Sequence, residues 1–414
     1  MAPQTRNHPH HPPATDSDVK LRRAHRKSRN GCNECKRRHV KCDETRPACV
    51  NCATAERRCS YLDSVGSNGS NGIPATAAAA AAETPSPSFT AVLNDFVTRT
   101  DVDRDDDMIT VDAAPANGQV FTLEHMRLLH HVETNMSLFM CADELTRAVG
   151  SMHLENALAA PYLMDALLAL AARHMAELYP SRAAFHARQA AQLQTRALTL
   201  FNAAREDLSD DTCIPMFLFT SILGAHLLCD TLRAHRRDFN AFLDQFAWYL
   251  NLQRGVSAVT GHSWHVIRRS GIKDLVDFLE VASQPSKQAP EVDILHRMLD
   301  RADLGPASLQ ACRDASDTLR HSYAIYRTIA SRSAHQSASV MAFGVRVTPA
   351  FIDVLKQRRP EALVILAFYA VLLHWCRDFW VFADAGQFMI RSIAAHLGDY
   401  WSEWLAFPIS VLEG

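Results

Sequence analysis

From about residue 120 onward, apolar residues recur at intervals of three and four positions, the spacing that defines one face of an α-helix. The first of these segments carries Leu123, Met126 and Leu129, and Thr122 before it is a suitable N-cap. Further segments of this kind are 154–178, 182–205, 212–234, 236–253, 263–281, 308–332 and 360–383. The pattern predicts a large irregular all-α domain of about ten helices over residues 120–414.

Prolines mark some of the expected helix boundaries. Pro161 predicts a break within the segment 154–178. Pro360 followed by Glu361 is a favourable helix start, because proline is preorganised for the first helical position and a carboxylate suits the first turn. Strand-like runs are scarce, and Gly344–Val347 is only a short apolar fragment.

Two apolar runs are long enough to raise the question of a membrane span. The run from Cys213 to Cys229 has no Lys, Arg, Asp or Glu, but Pro215 and Gly224 interrupt it. The run from Ala362 to Cys376 is shorter still. Spanning a membrane takes about 20 predominantly apolar residues, so we expect buried core helices and no stable membrane span.

The segment 64–119 has too little apolar content for a packed core. It contains a Gly/Ser/Asn tract and the homopolymer Ala77–Ala82, and it predicts a disordered linker. Within it, residues 89–112 mix bulky apolar and acidic side chains. They are either an activation segment that folds on a coactivator or an acidic end of the linker, and the sequence leaves both open. Residues 1–19 are polar and predict a disordered tail.

Six cysteines lie between residues 32 and 59 in the spacing C-x2-C-x6-C-x6-C-x2-C-x6-C: Cys32, Cys35, Cys42, Cys49, Cys52 and Cys59. A disulfide framework is the first alternative, but no secretory signal peptide is apparent and the surroundings are basic. Zinc is bound by four thiolates in a tetrahedron. One zinc would leave two cysteines over, whereas six thiolates serve two zincs if two of them bridge the metals. The repeated half-pattern favours two zincs.

Charge is distributed unevenly along the chain. Residues 1–63 hold 14 Lys and Arg against 7 Asp and Glu, although the whole chain has a formal net charge of −2. A basic head indicates a polyanionic partner. The cations close to the cysteines are Arg26, Lys27, Arg29, Lys36, Arg37, Arg38 and Lys41, with His39 among them. The basic run at 20–30 suits both nuclear import and phosphate contact.

With Asp43 and Pro47, the cysteines and the basic residues between them resemble the zinc binuclear cluster, Zn2Cys6, of fungal transcription regulators. The resemblance implies that Cys32 and Cys49 are the bridging thiolates. It also implies a helix after Cys35 that enters the major groove at a CGG-type triplet. His39 departs from the family pattern, in which Lys or Arg is usual. Many family members have a coiled coil after the cluster, but no sustained heptad follows it here.

A second resemblance covers most of the helical domain. The runs 128–134, 162–174, 183–200 and 362–374, with Trp401, Trp404 and Pro408, look like the regulatory domain of the sterol-uptake-control group of these regulators. The resemblance implies an all-helical fold and, in sterol-sensing members, an apolar ligand pocket. Many other members of the family regulate secondary-metabolite genes.

Other candidate chemistry in the helical domain is weak. His130, His131 and Glu133 are close in sequence, but on a helix they point in different directions and are not expected to hold a metal. The aromatic segment 369–382 is either core or the lining of a pocket for a flat apolar ligand. No nucleophile elbow, phosphate-binding glycine loop or HExxH sequence is present, so we do not expect an enzyme.

These observations predict a nuclear, sequence-specific DNA-binding regulator of RNA polymerase II genes in a fungus. Its expected regions are the tail at 1–19, the basic arm and zinc module at 20–63, the linker at 64–119 and the helical domain at 120–414. Expected partners are double-stranded DNA, the transcription machinery and a second copy of the chain. The predicted gene set is related to secondary metabolites or sterols. The alternative is a receptor whose helical domain binds a sterol-like apolar ligand; an RNA-binding or scaffolding zinc protein is a weaker third class.

Overall fold

The computed structural model describes residues 30–37, 42–46, 48–49, 52, 59–61, 121–135, 153–204, 212–261, 269, 273, 289–330 and 337–413. The chain divides into two compact units, Met1–Thr76 and Ala77–Gly414. Each unit has its own core, built from cysteines in the first and from helices in the second. The predicted tail, arm and linker lie outside the described residues, as does nearly all of the expected helix at 263–281. The bounds proposed for the four regions therefore stay predictions.

Thirteen α-helices have both ends within the described residues, and no strand occurs there, which confirms the all-α prediction. They are α1 (Asn33–Arg37), α2 (Leu123–Thr134), α3 (Pro161–Leu178), α4 (Ala183–Ala204), α5 (Cys213–Arg233), α6 (Phe239–Gly261), α7 (Asp293–Asp300), α8 (Pro306–Ala330), α9 (Ser337–Arg346), α10 (Pro349–Lys356), α11 (Pro360–Trp375), α12 (Ala385–Leu397) and α13 (Ser402–Ser410). Residues 153–159 are also helical.

The expected helix starts at Thr122 and Pro161 are present. The Thr122 hydroxyl accepts a hydrogen bond from the His125 backbone N–H at 3.4 Å, and the His125 ring accepts one from the Thr122 backbone N–H at 3.0 Å. This reciprocal pair is a capping box with histidine in place of the usual Glu or Gln. Pro161 is the first residue of α3 and separates it from the helical stretch 153–159.

Helices α3, α4 and α5 form one side of the helical core. The Phe201 and Phe219 rings stack with centroids 4.3 Å apart, and the Tyr162 ring meets both edge-on. The buried Asp165 carboxylate accepts two hydrogen bonds of 2.6 Å from the Arg196 guanidinium, which joins α3 to α4. A two-pronged pair of this kind satisfies a charge that would be costly to bury alone.

Helix α11 is the centre of the other side of the core. Every residue from Glu361 to Leu373 is buried, so this helix is apolar all round and needs neighbours on every face. Among the buried polar groups nearby, the Tyr323 hydroxyl of α8 donates to the Phe368 carbonyl at 2.8 Å. The predicted segment 360–383 is too long, because the helix ends at Trp375 and turns follow.

The turns after α11 are held by a side chain from α5. The Arg233 guanidinium donates to the carbonyl oxygens of Trp380 at 2.9 Å and Val381 at 3.0 Å. It also donates to the Cys229 carbonyl at 3.1 Å and to the Glu177 carboxylate at 2.8 Å. These bonds satisfy backbone oxygens that a continued helix would have paired internally, so they favour ending the helix early.

The apolar fragment Gly344–Val347 ends α9 and leads into α10. Helices α9 and α10 meet at an angle of 92°. Thr348 lies at the corner, and its hydroxyl accepts from the Phe351 backbone N–H at 3.3 Å as the N-cap of α10. Val347 and the nearby Phe351 are fully buried, so the apolar residues of this corner pack into the core, and the fragment forms no strand.

Helix α5 is the most apolar long helix of this region. By length and composition Cys213–Arg233 could cross a membrane, yet 67% of its most apolar stretch is buried within the fold. Its packing against α3 and α6 accounts for that apolar surface.

Candidate metal centre and nucleic-acid interface

The six cysteine sulfur atoms form two overlapping groups of four. Cys32, Cys35, Cys42 and Cys49 make one group, and Cys32, Cys49, Cys52 and Cys59 make the other. Within each group all sulfur atoms lie within 4.8 Å of one another. Cys32 and Cys49 belong to both groups, so they occupy the shared edge between two four-sulfur sites.

The sulfur–sulfur distances match the edges of zinc–thiolate tetrahedra. Four sulfurs bonded to zinc at about 2.3 Å lie about 3.8 Å from one another. The Sγ atoms of Cys32 and Cys49 are 3.6 Å apart, those of Cys35 and Cys49 are 3.6 Å apart, and those of Cys32 and Cys52 are 3.4 Å apart. These distances exclude a disulfide, whose sulfurs are bonded at about 2.05 Å. The donor set therefore fits zinc.

The two halves of the sequence pattern repeat in the structure. The Cys32 backbone N–H points at the Cys42 sulfur at 3.4 Å, and the Cys49 backbone N–H points at the Cys59 sulfur at 3.5 Å. Cys35 adds a third N–H, 3.3 Å from the Cys32 sulfur. Backbone N–H groups aimed at sulfur stabilise the thiolate form that a metal requires.

All six cysteines are at most 2% exposed, and burial strongly affects their acidity. Burial raises the pKa of the Cys35 and Cys52 thiols well above the ordinary value. Burial also acts to raise the pKa of Cys42, but hydrogen bonds from the Cys32 and Glu44 backbone outweigh it and lower the pKa to about 7. Six deprotonated sulfurs packed this closely need cations between them, which is what two zinc ions supply.

Tyr61 and Ser60 tie the end of the cysteine segment back to its start. The Tyr61 hydroxyl donates to the Asn30 carbonyl and lies 3.7 Å from the Cys42 sulfur. The Ser60 hydroxyl accepts from the Asn33 backbone N–H at 2.9 Å. The hydrogen bonds to Asn30 and Asn33 hold the two ends of the cysteine segment together beside the buried sulfur atoms.

Two of the predicted DNA-contacting residues lie among the described residues. Lys36 and Arg37 are exposed at the end of α1, directly after Cys35. The Arg37 guanidinium is paired with the Glu34 carboxylate through hydrogen bonds of 3.1 and 2.8 Å. The other six, Arg26, Lys27, Arg29, Arg38, His39 and Lys41, lie outside the described residues.

Comparison with known protein families matches both units. Residues 30–67 match the family described as "Fungal Zn(2)-Cys(6) binuclear cluster domain". Residues 127–250 match the family described as "Fungal specific transcription factor domain". Both units are thus similar to domains of fungal Zn(2)-Cys(6) transcription factors. The match to the zinc-cluster domain implies zinc binding and DNA binding.

Two similar proteins extend over most of the chain. A "Zn(2)-C6 fungal-type transcription factor" of Gibberella zeae is 26% identical over 440 residues, covering 95% of this chain and 87% of the relative. The "Zn(2)-C6 fungal-type transcription factor afumD" of Aspergillus fumigatus is 27% identical over 355 residues, covering 83% of this chain and 84% of the relative. The likeness thus includes the helical unit as well as the zinc module.

The similarity to a sterol regulator covers a much shorter stretch of the chain. "Sterol uptake control protein 2" of Candida albicans is 54% identical, but over 46 residues, which are 11% of this chain and 6% of the relative. A match of that length is about the size of the zinc module and leaves most of the helical unit unaccounted for.

In the helical unit, the sequence analysis missed a histidine pair. His130, His131 and Glu133 were expected not to converge. The structure shows no convergence of these three among the described residues, but the His131 ring nitrogen Nε2 lies 3.0 Å from Nδ1 of His174, 43 residues later on α3. Burial lowers the pKa of His174 to about 4, and the nearby His131 adds to the effect. Because the two histidines are 43 positions apart and on different helices, their spacing in the sequence gave no indication that they meet.

The aromatic segment 369–382 contributes to the core. Tyr369 and Phe382 are at most 1% exposed, and the Trp375 ring stacks on Tyr326 with centroids 4.8 Å apart. A separate surface groove of about 590 Å³ lies between α3, α4 and α5. Alanines of α4 line this space because their side chains are small. The sequence pattern had indicated only that these alanines belong to a helix.

Proposed function

We propose that residues 30–61 bind two zinc ions, with Cys32 and Cys49 bridging them and each metal completing its tetrahedron with two further cysteines. Cys35 and Cys42 complete one site, and Cys52 and Cys59 complete the other. The observation that carries this proposal is the sharing of Cys32 and Cys49 by both four-sulfur groups. Six ligands then fill eight coordination positions, in agreement with the known preference of zinc for four.

The zinc module is the sequence-specific DNA-binding part of the protein in this proposal. It presents Lys36, Arg37, Arg38, His39 and Lys41 to the major groove of CGG-type sites. The exposed positions of Lys36 and Arg37 support this role, because Lys and Arg donate to the O6 and N7 acceptors of guanine. The arm residues Arg26, Lys27 and Arg29 add phosphate contacts, which strengthen binding to all sequences alike.

In the absence of DNA, the guanidinium of Arg37, one of the proposed DNA-contacting residues, is paired with the Glu34 carboxylate. With 69% of its side chain exposed, Arg37 belongs to a surface pair, and such pairs contribute at most about 1 kcal/mol. A guanine edge or a phosphate can therefore replace the Glu34 carboxylate as the partner of Arg37. We propose that Glu34 holds the guanidinium extended along α1 until DNA arrives.

The helical unit would connect DNA binding to regulation. We infer a nuclear regulator of RNA polymerase II genes whose helical unit contacts the transcription machinery or a second copy of the chain. The fungal transcription factor match at 127–250 and the two long relatives support this role. For the gene set we propose secondary-metabolite or sterol-related genes; the short likeness to a sterol uptake control protein supports the second.

A sterol-like apolar ligand of the helical unit is the second candidate. It rests on the resemblance of the runs 128–134, 162–174, 183–200 and 362–374 to the regulatory domain of the sterol-uptake-control group. Saturable binding of a sterol to the full-length protein would support it. If the protein binds no sterol yet occupies its sites, the helical unit acts without an apolar ligand.

DNA recognition is tested by electrophoretic mobility shift with the full-length protein. We expect binding to a duplex with paired CGG triplets to be at least 100-fold tighter than to a duplex with the triplets scrambled, and expect Lys36→Ala to cost about tenfold. Lys356→Ala is the matched control, because Lys356 is an exposed lysine of the helical unit. Equal affinity for both duplexes, or stronger competition by RNA of the same sequence, would refute the proposal.

A further inference from the structure

Tyr61 lies where three parts of the zinc module meet, and it is not among the site residues that the sequence indicated. Its hydroxyl donates to the Asn30 carbonyl and is 3.7 Å from the Cys42 sulfur. The Arg46 guanidinium lies over its ring, 4.3 Å from the ring centroid. The side chain therefore contacts the start of the cysteine segment, a proposed zinc ligand and the loop between Cys42 and Cys49.

Tyr61 is held in place by its neighbours in the chain. Cys59, two positions earlier, belongs to the buried sulfur cluster. The Ser60 hydroxyl accepts from the Asn33 backbone N–H at 2.9 Å, which fastens the residue directly before Tyr61 to the start of α1. Tyr61 is only 7% exposed. A side chain fixed in this way can hold another part of the chain in one position.

Asn30 is the point at which the basic arm joins the zinc module. Arg29 precedes it, and Gly31 and Cys32 follow. Glycine restricts the backbone least of all residues, so Gly31 alone would let Asn30 take many directions relative to the buried Cys32. The hydrogen bond from the Tyr61 hydroxyl removes this freedom, because it fixes the Asn30 carbonyl beside the module.

We propose that Tyr61 is a positioning residue for DNA binding, whose hydroxyl fixes the point from which the basic arm starts and so directs the cations of the arm to the phosphate backbone. This role rests on the proposed DNA binding of the zinc module. Phosphate contacts set the orientation of a protein on DNA, and they weaken as salt is raised. An arm whose starting point is fixed beforehand loses less conformational freedom on binding, so the Tyr61 hydrogen bond increases affinity without touching DNA.

The test compares Tyr61→Phe with the parent in the full-length protein by electrophoretic mobility shift. The substitution removes the hydroxyl and keeps the ring that packs against Arg46. One hydrogen bond changes an equilibrium constant by about twofold to tenfold. We therefore expect about fivefold weaker binding to the CGG duplex and to the scrambled duplex alike at about 50 mM salt, and a smaller loss at about 200 mM.

An arm-neutral variant separates positioning from a merely structural role. It replaces three cations with alanine: Arg26, Lys27 and Arg29. Adding Tyr61→Phe to this variant should change DNA affinity by less than about twofold, because the hydroxyl then has no cations to position. Tyr323→Phe is the matched control, because the Tyr323 hydroxyl also donates to a backbone carbonyl, that of Phe368, but in the helical unit. The control should bind DNA as the parent does.

Native mass spectrometry of Tyr61→Phe completes the test, and two zinc ions per chain are expected. Fewer zinc ions than in the parent would assign the hydroxyl to the metal site through Cys42 and overturn the proposal. Equal losses in the parent and arm-neutral backgrounds, a loss confined to the CGG duplex, or an unchanged affinity would each overturn it as well. Equal binding of both duplexes by the parent would instead refute CGG recognition, and the effect of Tyr61→Phe would then be measured on the scrambled duplex.

Discussion

The two units of this protein are stabilised by different chemistry. In the zinc module the buried cluster is six cysteines with Tyr61, and helix α1 there has five residues. In the helical unit the core is a continuous apolar cluster in which α11 is buried on every face. A chain segment as short as the zinc module cannot bury enough apolar surface to fold, so the metal must supply the difference. Folding of the first unit is therefore tied to zinc, and folding of the second is not.

Zinc removal should have the largest effect, because it should unfold the zinc module and leave the helical unit folded. With an excess of chelator, the zinc module should lose its fold and CGG-specific binding should fall at least 100-fold, while far-ultraviolet circular dichroism of the whole chain stays strongly helical. Cys42→Ala should act in the same way, because one metal loses a ligand. Cys312→Ala, which changes a buried cysteine of α8, is the control and should leave zinc content unchanged. Loss of most helical signal on chelation would contradict the separation of the two cores.

Arg233→Ala should have the largest effect within the helical unit. It removes the donor that holds the Trp380 and Val381 carbonyl oxygens and the Glu177 carboxylate, so we expect a loss of about 2–4 kcal/mol in the free energy of unfolding. The measurement is urea unfolding followed by tryptophan fluorescence. Arg237→Ala, at an exposed position on the turn after α5, should change stability by less than about 0.5 kcal/mol. Equal effects of the two substitutions would show that the hydrogen bonds of Arg233 to the turns after α11 do not stabilise the helical unit.

Acid should destabilise the helical unit through its histidine pair. The His174 pKa is about 4 in the folded protein and about 6.5 when unfolded, so between these values only the unfolded chain binds the proton. The contribution of His174 to the free energy of unfolding is fully present above pH 6.5, and about 3 kcal/mol of it is lost as the pH falls toward 4. Burial lowers the pKa of His131 as well, which acts in the same direction. In urea unfolding at pH 7.5 and pH 5, His174→Gln should show a smaller loss of stability at the lower pH than the parent; an unchanged loss would contradict the assignment.

The smallest effect is expected at the surface of α1. Glu34→Gln removes the carboxylate that pairs with Arg37, so affinity for CGG-containing DNA should rise by about twofold to fivefold. The effect should shrink as salt is raised from 50 to 200 mM, because exposed charges are screened. Glu44→Gln is a control carboxylate in the same module. Weaker binding of Glu34→Gln would mean that the carboxylate positions Arg37 for DNA instead of competing for it.

The sequence predicted the helical fold and the grouping of the six cysteines for one reason: both leave regular spacing. The cysteine spacing contained the repeat that the structure shows in the paired contacts of Cys32 with Cys42 and Cys49 with Cys59. The periodic apolar positions likewise indicated α2 to α5, and the prolines indicated where α3 and α11 begin.

What the sequence did not predict depends on contacts between distant residues. The end of α11 is set in part by Arg233, about 150 positions earlier, and the His131–His174 pair joins two helices. The short helices α7, α9, α10, α12 and α13 lack the long periodic runs on which the prediction relied. The groove beside α4 is lined by alanines of α4 together with residues of α3 and α5, and the sequence of one helix does not reveal its neighbours.

The most direct test of the central claim is a count of zinc ions on the intact protein by native mass spectrometry. Six thiolates with Cys32 and Cys49 shared predict two zinc ions per chain, and two for Cys312→Ala as well. Cys32→Ala should lose both ions, because it supplies a ligand to each site, whereas Cys59→Ala should retain more zinc than Cys32→Ala. One zinc ion on the parent protein, or two on Cys32→Ala, would contradict the shared-thiolate account.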